Sequence, residues 1–328
     1  MELDGRFNRR EALAAAIAMG LAGSVKAQKT EEPAMTTLVY RSVDTVDIQV
    51  DVYGSGRSGP RPALMWIHGG GLITGSRGSI FKSVRSVCQE SGYVLASFDY
   101  RLGPEVKVPA ILDDIAAGYR WLIEQGPDVA GVDASRVAVA GTSAGGYLTL
   151  TTGYRVVPRP KALVSYWGYG DIAGDWYSKP SEHYRTASPL VDRDTALSAV
   201  NKGVLTKVEG EIGKGRGTYY LYLRQNGLWT QEMTGLDPNT DQAKLAALCP
   251  VQNVGSDYPP TMLVHGTNDT DVPYDQSKSM AEALAAMAIP HELVTVEGGG
   301  HGLTGVDAAE VESAHRRAQA FIRSHLGD

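Results

Sequence analysis

The sequence has few cysteines, no repeats and no basic cluster, so it lacks the features that most directly indicate a function. Its 328 residues contain two cysteines, and they show no internal repeat and no long low-complexity tract. The formal net charge is −6 and no lysine and arginine cluster stands out, which argues against nucleic acid as a partner. With 43% hydrophobic and 8% aromatic residues, the chain can bury a full core, which predicts one sizeable domain.

The apolar stretch near the N-terminus is too short to cross a membrane. The twin arginines Arg9-Arg10 precede an alanine-rich run at 12–22, and small residues follow at 24–27. This pattern predicts a twin-arginine-type signal peptide over residues 1–27, a periplasmic or secreted protein, and no stable membrane insertion after cleavage. An uncleaved amphipathic helix and a true start at Met35 remain open, and without a functional signal the protein would stay cytoplasmic.

The two cysteines do not indicate a disulfide. Export would place Cys88 and Cys249 in an oxidising compartment, where they could in principle pair. Their predicted positions are a helix and the end of an insertion, which do not suggest proximity. We therefore predict two buried free thiols.

Short apolar runs alternate with amphipathic segments along the chain. The pattern predicts an N-terminal hairpin at 38–53 and further strands at 63–67, 94–98, 136–140, 162–167, 261–265 and 291–296. It predicts helices at 111–124, 146–154, 274–287 and 308–325. Such alternation implies an α/β fold with a mostly parallel central sheet and helices on both faces.

The pentapeptide Gly141-Thr142-Ser143-Ala144-Gly145 lies between a predicted strand and a predicted helix. A serine at the tip of such a turn projects its hydroxyl from the sheet edge, and the next backbone N–H can bind an oxyanion. A side chain at Gly141 or Gly145 would collide where the strand and the helix cross. Taken alone, the motif also occurs in ordinary glycine-rich loops.

Three further motifs follow predicted strands in a consistent order. His68-Gly69-Gly70-Gly71 comes first, and its bare backbone amides suit the binding of a substrate oxygen. Asp269 follows the strand at 261–265, which places an acid at the active edge of an open α/β sheet. His301 lies among glycines after the strand at 291–296. Serine, acid and histidine thus appear in the α/β-hydrolase order.

With these motifs the chain resembles the α/β-hydrolase superfamily and, within it, the hormone-sensitive-lipase-like esterases. The resemblance runs from Leu64 to the C-terminus and is weakest between about 170 and 249. It implies a catalytic triad, an oxyanion hole, and no need for a metal or an organic cofactor. The implied triad is Ser143, Asp269 and His301, and the implied oxyanion hole is formed by the backbone amides of Gly70, Gly71 and Ala144.

Several other polar residues need an interpretation. Asp271 competes for the role of the acid, although the family pattern His-Gly-x-x-Asp matches Asp269. His68 and His265 are predicted to be structural at strand ends, and the helix at 308–325 would place His315 and His325 on a solvated face. Asp114 and Arg101 are expected to form a buried pair that supports the oxyanion loop.

An insertion at about 170–250 within the single domain at 28–328 is rich in aromatic residues. It falls where such enzymes carry a cap that excludes water and shapes the pocket. The aromatic residues either pack the insertion's own core or form a surface for the substrate. They are Trp176, Tyr177, Tyr184, Tyr219, Tyr220, Tyr222 and Trp229.

The sequence therefore predicts a serine carboxylic-ester hydrolase whose partner is a small or medium ester, with acetylated carbohydrate as one candidate. A serine peptidase of the prolyl-oligopeptidase type shares the fold and the triad order, but it usually carries a large β-propeller ahead of the catalytic domain. A catalytically silent binding protein on the same scaffold is the third interpretation. The sequence gives no prediction of oligomeric state.

Overall fold

The computed structural model describes residues 35–54, 59–208 and 210–327. The predicted signal peptide at 1–27 lies outside these residues. Within them, one sheet of eight strands is formed. The strands are β1 (Met35–Val43), β2 (Val46–Tyr53), β3 (Arg61–Ile67), β4 (Val94–Phe98), β5 (Val132–Thr142), β6 (Leu163–Tyr166), β7 (Thr261–Gly266) and β8 (His291–Val296).

The order of strands across the sheet is β1-β2-β4-β3-β5-β6-β7-β8. Strands β1 and β2 form an antiparallel hairpin, and β2 also pairs antiparallel with β4. The remaining neighbours are parallel. The hairpin turns at Asp44, which has a φ of 52°, a left-handed conformation that aspartate tolerates better than most residues. The predicted hairpin and mostly parallel sheet are confirmed.

The helices of the described residues follow in chain order. They are α1 (Lys82–Glu90), α2 (Val108–Glu124), α3 (Gly126–Ala130), α4 (Ala144–Arg155), α5 (Asp175–Ser178), α6 (Glu182–Ala187), α7 (Arg193–Leu197), α8 (Gly210–Asn226), α9 (Trp229–Thr234), α10 (Gln242–Ala246), α11 (Asp275–Ala286) and α12 (Ala308–Leu326). Short 3₁₀ helices lie at Pro250–Gln252 and His301–Leu303.

Both faces of the sheet are covered by helices, as predicted. The core on one face contains side chains of α2, α4 and α11, and the core on the other contains side chains of α1 and α12. Strand β7 is buried along its whole length, with Leu263 in the first core and Met262 and Val264 in the second. A strand buried on both faces needs apolar residues at every position, which explains why continuous apolar runs mark these strands in the sequence.

Differences from the predicted bounds are small and have local causes. Helix α2 begins at Val108 rather than at 111, with Pro109 in its first turn, where a missing backbone N–H costs no helical hydrogen bond. Strand β5 is longer than the predicted 136–140, because Val132 pairs with Arg61 ahead of the apolar run.

The segment between β6 and β7 contains the six helices α5 to α10. Its aromatic side chains do not form a separate small core. Tyr177, Tyr219 and Trp229 are buried in the same cluster as the sheet-facing residues of α2 and α4, so the interpretation that the aromatic residues pack a core of the insertion's own is wrong for these three. Tyr220 lines a cavity beside Ser143, and its contact with a substrate stays a prediction.

The expectation that His315 lies on a solvated face is wrong. Its ring packs 5.3 Å from the ring of Phe81 and 5.5 Å from that of Tyr166, and its Nδ1 lies 3.0 Å from the Ser83 hydroxyl. Burial lowers the pKa of His315 below its usual value. Helix α12 covers one face of the sheet, so its polar positions next to the buried stripe also contact the core.

The two cysteines are free and buried, as predicted from their positions. Cys88 lies in the core beneath α1 and α12, whereas Cys249 lies in the core of the opposite face. Among the described helices, none combines the length and the apolar character that a membrane span requires.

Candidate active site

Ser143 occupies the sharp turn between β5 and α4. Its φ of 52° and ψ of −121° form a conformation that a residue other than glycine rarely adopts, as expected at a nucleophile elbow. A Cβ atom at Gly145 would lie 2.1 Å from the backbone oxygen of Ile67, and one at Gly141 would lie 2.4 Å from that of Gly145. The chain needs glycine at both positions because strand and helix cross in contact.

The structure brings Ser143, Asp269 and His301 together. The Ser143 hydroxyl lies 3.1 Å from His301 Nε2, and His301 Nδ1 lies 2.7 Å from Asp269 Oδ2. The three residues follow β5, β7 and β8, whose carboxyl ends share one edge of the parallel sheet. Both distances allow a hydrogen bond, as activation of a serine by an imidazole that a carboxylate orients requires.

Asp269 is held in its ionised form. Burial alone would raise its pKa, but hydrogen bonds from His265 and His301 and the charge of His301 hold the pKa well below its usual value. Its Oδ1 also accepts the backbone N–H groups of Asp271 and Val272, both at 2.9 Å. His265 is therefore more than a strand-end residue, since its Nε2 lies 3.2 Å from Asp269 Oδ2.

The pKa of His301 is raised above its usual value. Burial lowers it, but the hydrogen bond to Asp269 and the negative charges of Asp271 and Asp269 outweigh that effect. An imidazole with a raised pKa is a better proton acceptor. The site therefore favours proton transfer from Ser143 to His301.

The glycine loop after β3 lies beside Ser143. Gly70 and Gly71 have φ values of 114° and 62°, and the Gly70 carbonyl accepts the N–H groups of Ile73 and Thr74, each at 2.9 Å. A Cβ atom at Gly70 would lie 2.2 Å from the Thr74 carbonyl oxygen, so no larger residue fits. Ala144 is the first residue of α4, where backbone N–H groups have no partner within the helix.

These residues surround a cavity of about 430 Å³. Its lining comes from the glycine loop, the elbow, the histidine loop and the insertion. The lining residues are Gly69, Gly70, Gly71, Thr74, Phe81, Thr142, Ser143, Trp167, Gly217, Tyr220, Asp271 and His301. The predicted nucleophile and base thus line the same cavity as the glycines.

The comparison with known protein families agrees with this geometry. A family model described as "alpha/beta hydrolase fold" matches residues 64–305. The chain belongs to the α/β-hydrolase fold family. The resemblance to the hormone-sensitive-lipase-like members, inferred from the sequence motifs, is confirmed. Membership supports a hydrolase activity and leaves its substrate open.

Curated relatives of this α/β hydrolase include much longer proteins. Non-reducing polyketide synthase ausA of Emericella nidulans is 26% identical over 89% of the chain, and the match covers 14% of that protein. Non-reducing polyketide synthase ascC of Acremonium egyptiacum is 27% identical over 87% of the chain and 16% of its own length. The chain therefore spans a small part of these relatives.

Solved structures share the fold. A protein of unknown function from Staphylococcus aureus has a TM-score of 0.70 at 19% identity and covers 89% of this chain and 99% of its own. An α/β-hydrolase superfamily protein from Enterococcus faecalis has a TM-score of 0.69 at 19% identity, with the same coverage. Thermogutta terrifontis esterase 2 phosphorylated by paraoxon has a TM-score of 0.62 at 22% identity and covers 90% and 95%.

Helix α8 of the insertion contacts the glycine loop of this α/β hydrolase, which the sequence did not indicate. The buried Arg216 guanidinium donates to the Ile73 carbonyl at 2.8 Å and pairs with Glu105 at 2.8 Å. The predicted pair of Arg101 and Asp114 is also present, at 2.8 Å. Arg216 contacts the glycine loop directly, and Trp229 Nε1 also lies 3.3 Å from the Gly71 carbonyl oxygen.

The insertion also contacts the loop that carries Asp269. Asp271 Oδ1 accepts hydrogen bonds from the hydroxyls of Tyr184 and Tyr220, at 2.9 Å and 2.6 Å, and from Arg224 at 2.7 Å. Asp271 Oδ2 lies 3.5 Å from His301 Nε2. Asp271 therefore faces the nitrogen that serves Ser143, whereas a triad acid faces Nδ1, where Asp269 lies.

Metal ligands do not cluster in the described part of the chain. No group of three or more histidine, cysteine, aspartate or glutamate side chains is placed there to hold a metal ion.

Proposed function

We propose that this protein is a serine carboxylic-ester hydrolase that acts on small or medium esters through an acyl-enzyme. One observation carries the proposal. Ser143, His301 and Asp269 are connected by contacts of 3.1 Å and 2.7 Å in a cavity that is also lined by Gly70 and Gly71. Acyl transfer needs this combination of an activated hydroxyl and nearby backbone amides.

The first half of the reaction forms the acyl-enzyme. His301 Nε2 takes the proton of the Ser143 hydroxyl as Oγ attacks the ester carbonyl carbon. Asp269 accepts the hydrogen bond of Nδ1–H, fixes the tautomer and stabilises the charged imidazole. The imidazolium then gives its proton to the alcohol oxygen, and the bond between this oxygen and the carbonyl carbon breaks.

The oxyanion is assigned to the backbone amides of Gly70, Gly71 and Ala144. One such donor typically contributes about 3 to 4 kcal/mol of transition-state stabilisation. In the second half, His301 removes a proton from water, the water oxygen attacks the acyl carbon, and Ser143 regains its proton as the acid leaves. The glycine loop therefore contributes to both halves.

The size and walls of the cavity support a small or medium ester. Ligand pockets typically enclose about 300 to 1,000 Å³, and this cavity of about 430 Å³ lies in the lower part of that range. Phe81 and Trp167 offer apolar walls, and Asp271 offers a polar one. Acetylated carbohydrate is one substrate class that combines a small acyl group with a polar alcohol.

The test is hydrolysis of p-nitrophenyl esters from acetate to decanoate by the wild-type protein and by Ser143→Ala. We expect turnover of the shorter esters and a loss of at least about a thousandfold in the variant, because the nucleophile is gone. Ser324→Ala changes an exposed serine on α12 and serves as the matched control. Paraoxon, which phosphorylates the Thermogutta esterase, would label Ser143 in a mass spectrum.

Two results would contradict the proposal. Equal activity in the wild type and in Ser143→Ala would assign the turnover to another group or to a contaminant. Absence of turnover across the whole series, with a folded wild-type protein, would favour a peptidase or a binding protein on the same scaffold. Peptides and acetylated sugars would then be the next substrates to examine.

A further inference from the structure

Asp271 is placed at the wall of the candidate active site but has no role in the triad. It lines the cavity, and its Oδ1 accepts three hydrogen bonds, from Tyr184, Tyr220 and Arg224. Its Oδ2 lies 3.5 Å from His301 Nε2, too far for a good hydrogen bond. One carboxylate oxygen is thus fixed from behind, and the other lies beside the reacting groups.

The support behind Asp271 is buried and closely packed. The Arg224 side chain is 2% exposed, and its guanidinium carbon lies 4.9 to 5.7 Å from the ring centres of four aromatic residues. These are Trp176, Tyr177, Tyr184 and Tyr220. A carboxylate held in this way can orient a substrate group without itself becoming ordered on binding.

The charge of Arg224 makes a neutral hydroxyl a suitable partner for Asp271. Arg224, at 2.7 Å from the carboxylate, offsets part of its attraction for a cation in the cavity. A carboxylate oxygen that keeps its lone pairs is a good acceptor for a hydroxyl hydrogen. The group best suited to Oδ2 is therefore a neutral hydroxyl.

The position of Asp271 indicates the part of the substrate that it would contact. His301 Nε2 gives its proton to the oxygen of the leaving alcohol, and Oδ2 lies beside this nitrogen. A group within reach of Oδ2 is then a close neighbour of that oxygen. A second hydroxyl near the ester oxygen, as in a partly acylated polyol, satisfies this geometry.

We propose that Asp271 Oδ2 accepts a hydrogen bond from a hydroxyl of the alcohol part of the substrate, so that the preferred substrates are partly acylated polyols. The inference rests on the proposed esterase function. Asp271 is the specificity residue, and Arg224, Tyr184 and Tyr220 are positioning residues that hold it.

The test compares two acetates that differ in hydroxyl groups, glycerol 1-acetate and propyl acetate. The readout is the ratio of their kcat/KM values in the wild type and in Asp271→Asn. In the variant, the amide oxygen should take the place of Oδ1, because three donors point at that position. The amide NH₂ then takes the place of Oδ2, so a donor replaces the acceptor in the cavity. Hydrogen bonds to charged groups are about twice as strong as neutral ones, so we expect the ratio to fall about tenfold.

The ratio separates specificity from catalysis and folding. Both acetates use the same serine and histidine, so a change in the pKa of His301 or in the fraction of active protein cancels. Asp275→Asn removes an exposed carboxylate four residues away and should leave the ratio unchanged. Should Asp271→Asn fail to fold, the wild-type ratio still decides, since a value near one overturns the proposal.

Other outcomes are also decisive. An unchanged ratio in Asp271→Asn overturns the proposal, and the esterase function stands if Ser143→Ala is inactive on both acetates. A strong preference for acetylcholine over its uncharged analogue 3,3-dimethylbutyl acetate, lost in Asp271→Asn, would mark a cation site instead. If the folded wild type hydrolyses no ester at all, the proposed function itself fails.

Discussion

Two carboxylates only two residues apart contact opposite nitrogens of one imidazole. Asp269 contacts His301 Nδ1 at 2.7 Å, and Asp271 lies 3.5 Å from Nε2. The sequence motif favours Asp269 as the acid but cannot tell which nitrogen each side chain faces, because that depends on how the loop folds. The difference in position explains how the two residues can have separate roles, one in orientation and the other in substrate binding.

The pH dependence of activity tests the electrostatic part of this arrangement. His301 must be neutral to accept the serine proton, so kcat/KM should fall as the pH drops through its raised pKa. Burial and the charge of Arg224 lower this pKa, whereas Asp269 and Asp271 raise it. Asp271→Asn removes one of the negative charges, so the acidic limb of the profile should move to lower pH.

The profile is measured with p-nitrophenyl acetate between about pH 5 and 9, on both sides of the ordinary histidine range. Asp275→Asn is the control, since its exposed carboxylate lies outside the cavity, and its limb should coincide with that of the wild type. A limb that stays in place or moves to higher pH in Asp271→Asn would contradict the assigned influence of Asp271 on His301.

At the scale of the element, α8 contacts both loops of the candidate active site. Arg216, Tyr220 and Arg224 are spaced by four residues and therefore lie on one face of the helix. Arg216 contacts the glycine loop, and Tyr220 and Arg224 contact Asp271. The insertion thus contacts both loops, in addition to lining part of the cavity.

The pair of Arg216 and Glu105 should contribute strongly to stability. Their side chains are 1% and 6% exposed, and although burial raises the pKa of Glu105, hydrogen bonds from Arg216 lower it below its usual value. Arg216→Met leaves the Glu105 charge buried and unpaired. We expect the free energy of unfolding, measured with urea, to fall by about 3 to 5 kcal/mol.

Two further variants show whether the loss of stability comes from the unpaired charge of Glu105. Arg216→Met with Glu105→Gln removes the buried charge and should recover part of the loss. Lys214→Met, on the same helix, removes a lysine that is 75% exposed and should change stability by less than about 0.5 kcal/mol. A loss below about 1 kcal/mol in Arg216→Met would mean that water or a rearrangement compensates Glu105.

At the scale of the whole molecule, the sheet and the positions of the triad residues could be predicted from the sequence for one physical reason. Strands buried on both faces must be continuously apolar, and the residues after their carboxyl ends reach one edge. The runs at β3 and β7 and the motifs that follow them were therefore predictable. Gly141 and Gly145 could also be interpreted from the sequence, because no side chain fits where the strand and the helix cross.

The structure of the insertion could not be predicted from the sequence in the same way. The first half of α8 contains glycine at 210, 213, 215 and 217, each of which disfavours a helix by up to about 1 kcal/mol relative to alanine. The helix forms because Arg216, Tyr219 and Arg224 are buried by contacts with distant parts of the chain. Such tertiary contacts leave no local pattern, so the role of Arg224 behind Asp271 could not be predicted.

The continuity of the core predicts that the insertion and the sheet unfold together. Tyr219, Trp229 and Cys249 belong to the same buried cluster as the sheet residues beneath α2 and α4. Cys88 lies in the core of the opposite face. Burial raises the pKa of both thiols, that of Cys249 to about 12, so neither should react with a thiol reagent in the folded protein.

Labelling of single-thiol variants with 5,5′-dithiobis(2-nitrobenzoic acid) measures this cooperativity. Cys88→Ala reports on Cys249 and Cys249→Ala on Cys88, each corrected for its own stability in urea. If the molecule opens as one unit, both thiols become accessible in the same event, and their corrected rates should agree within about threefold. A much faster rate at Cys249 would show that the insertion opens while the sheet stays folded, which would separate the two as cooperative units.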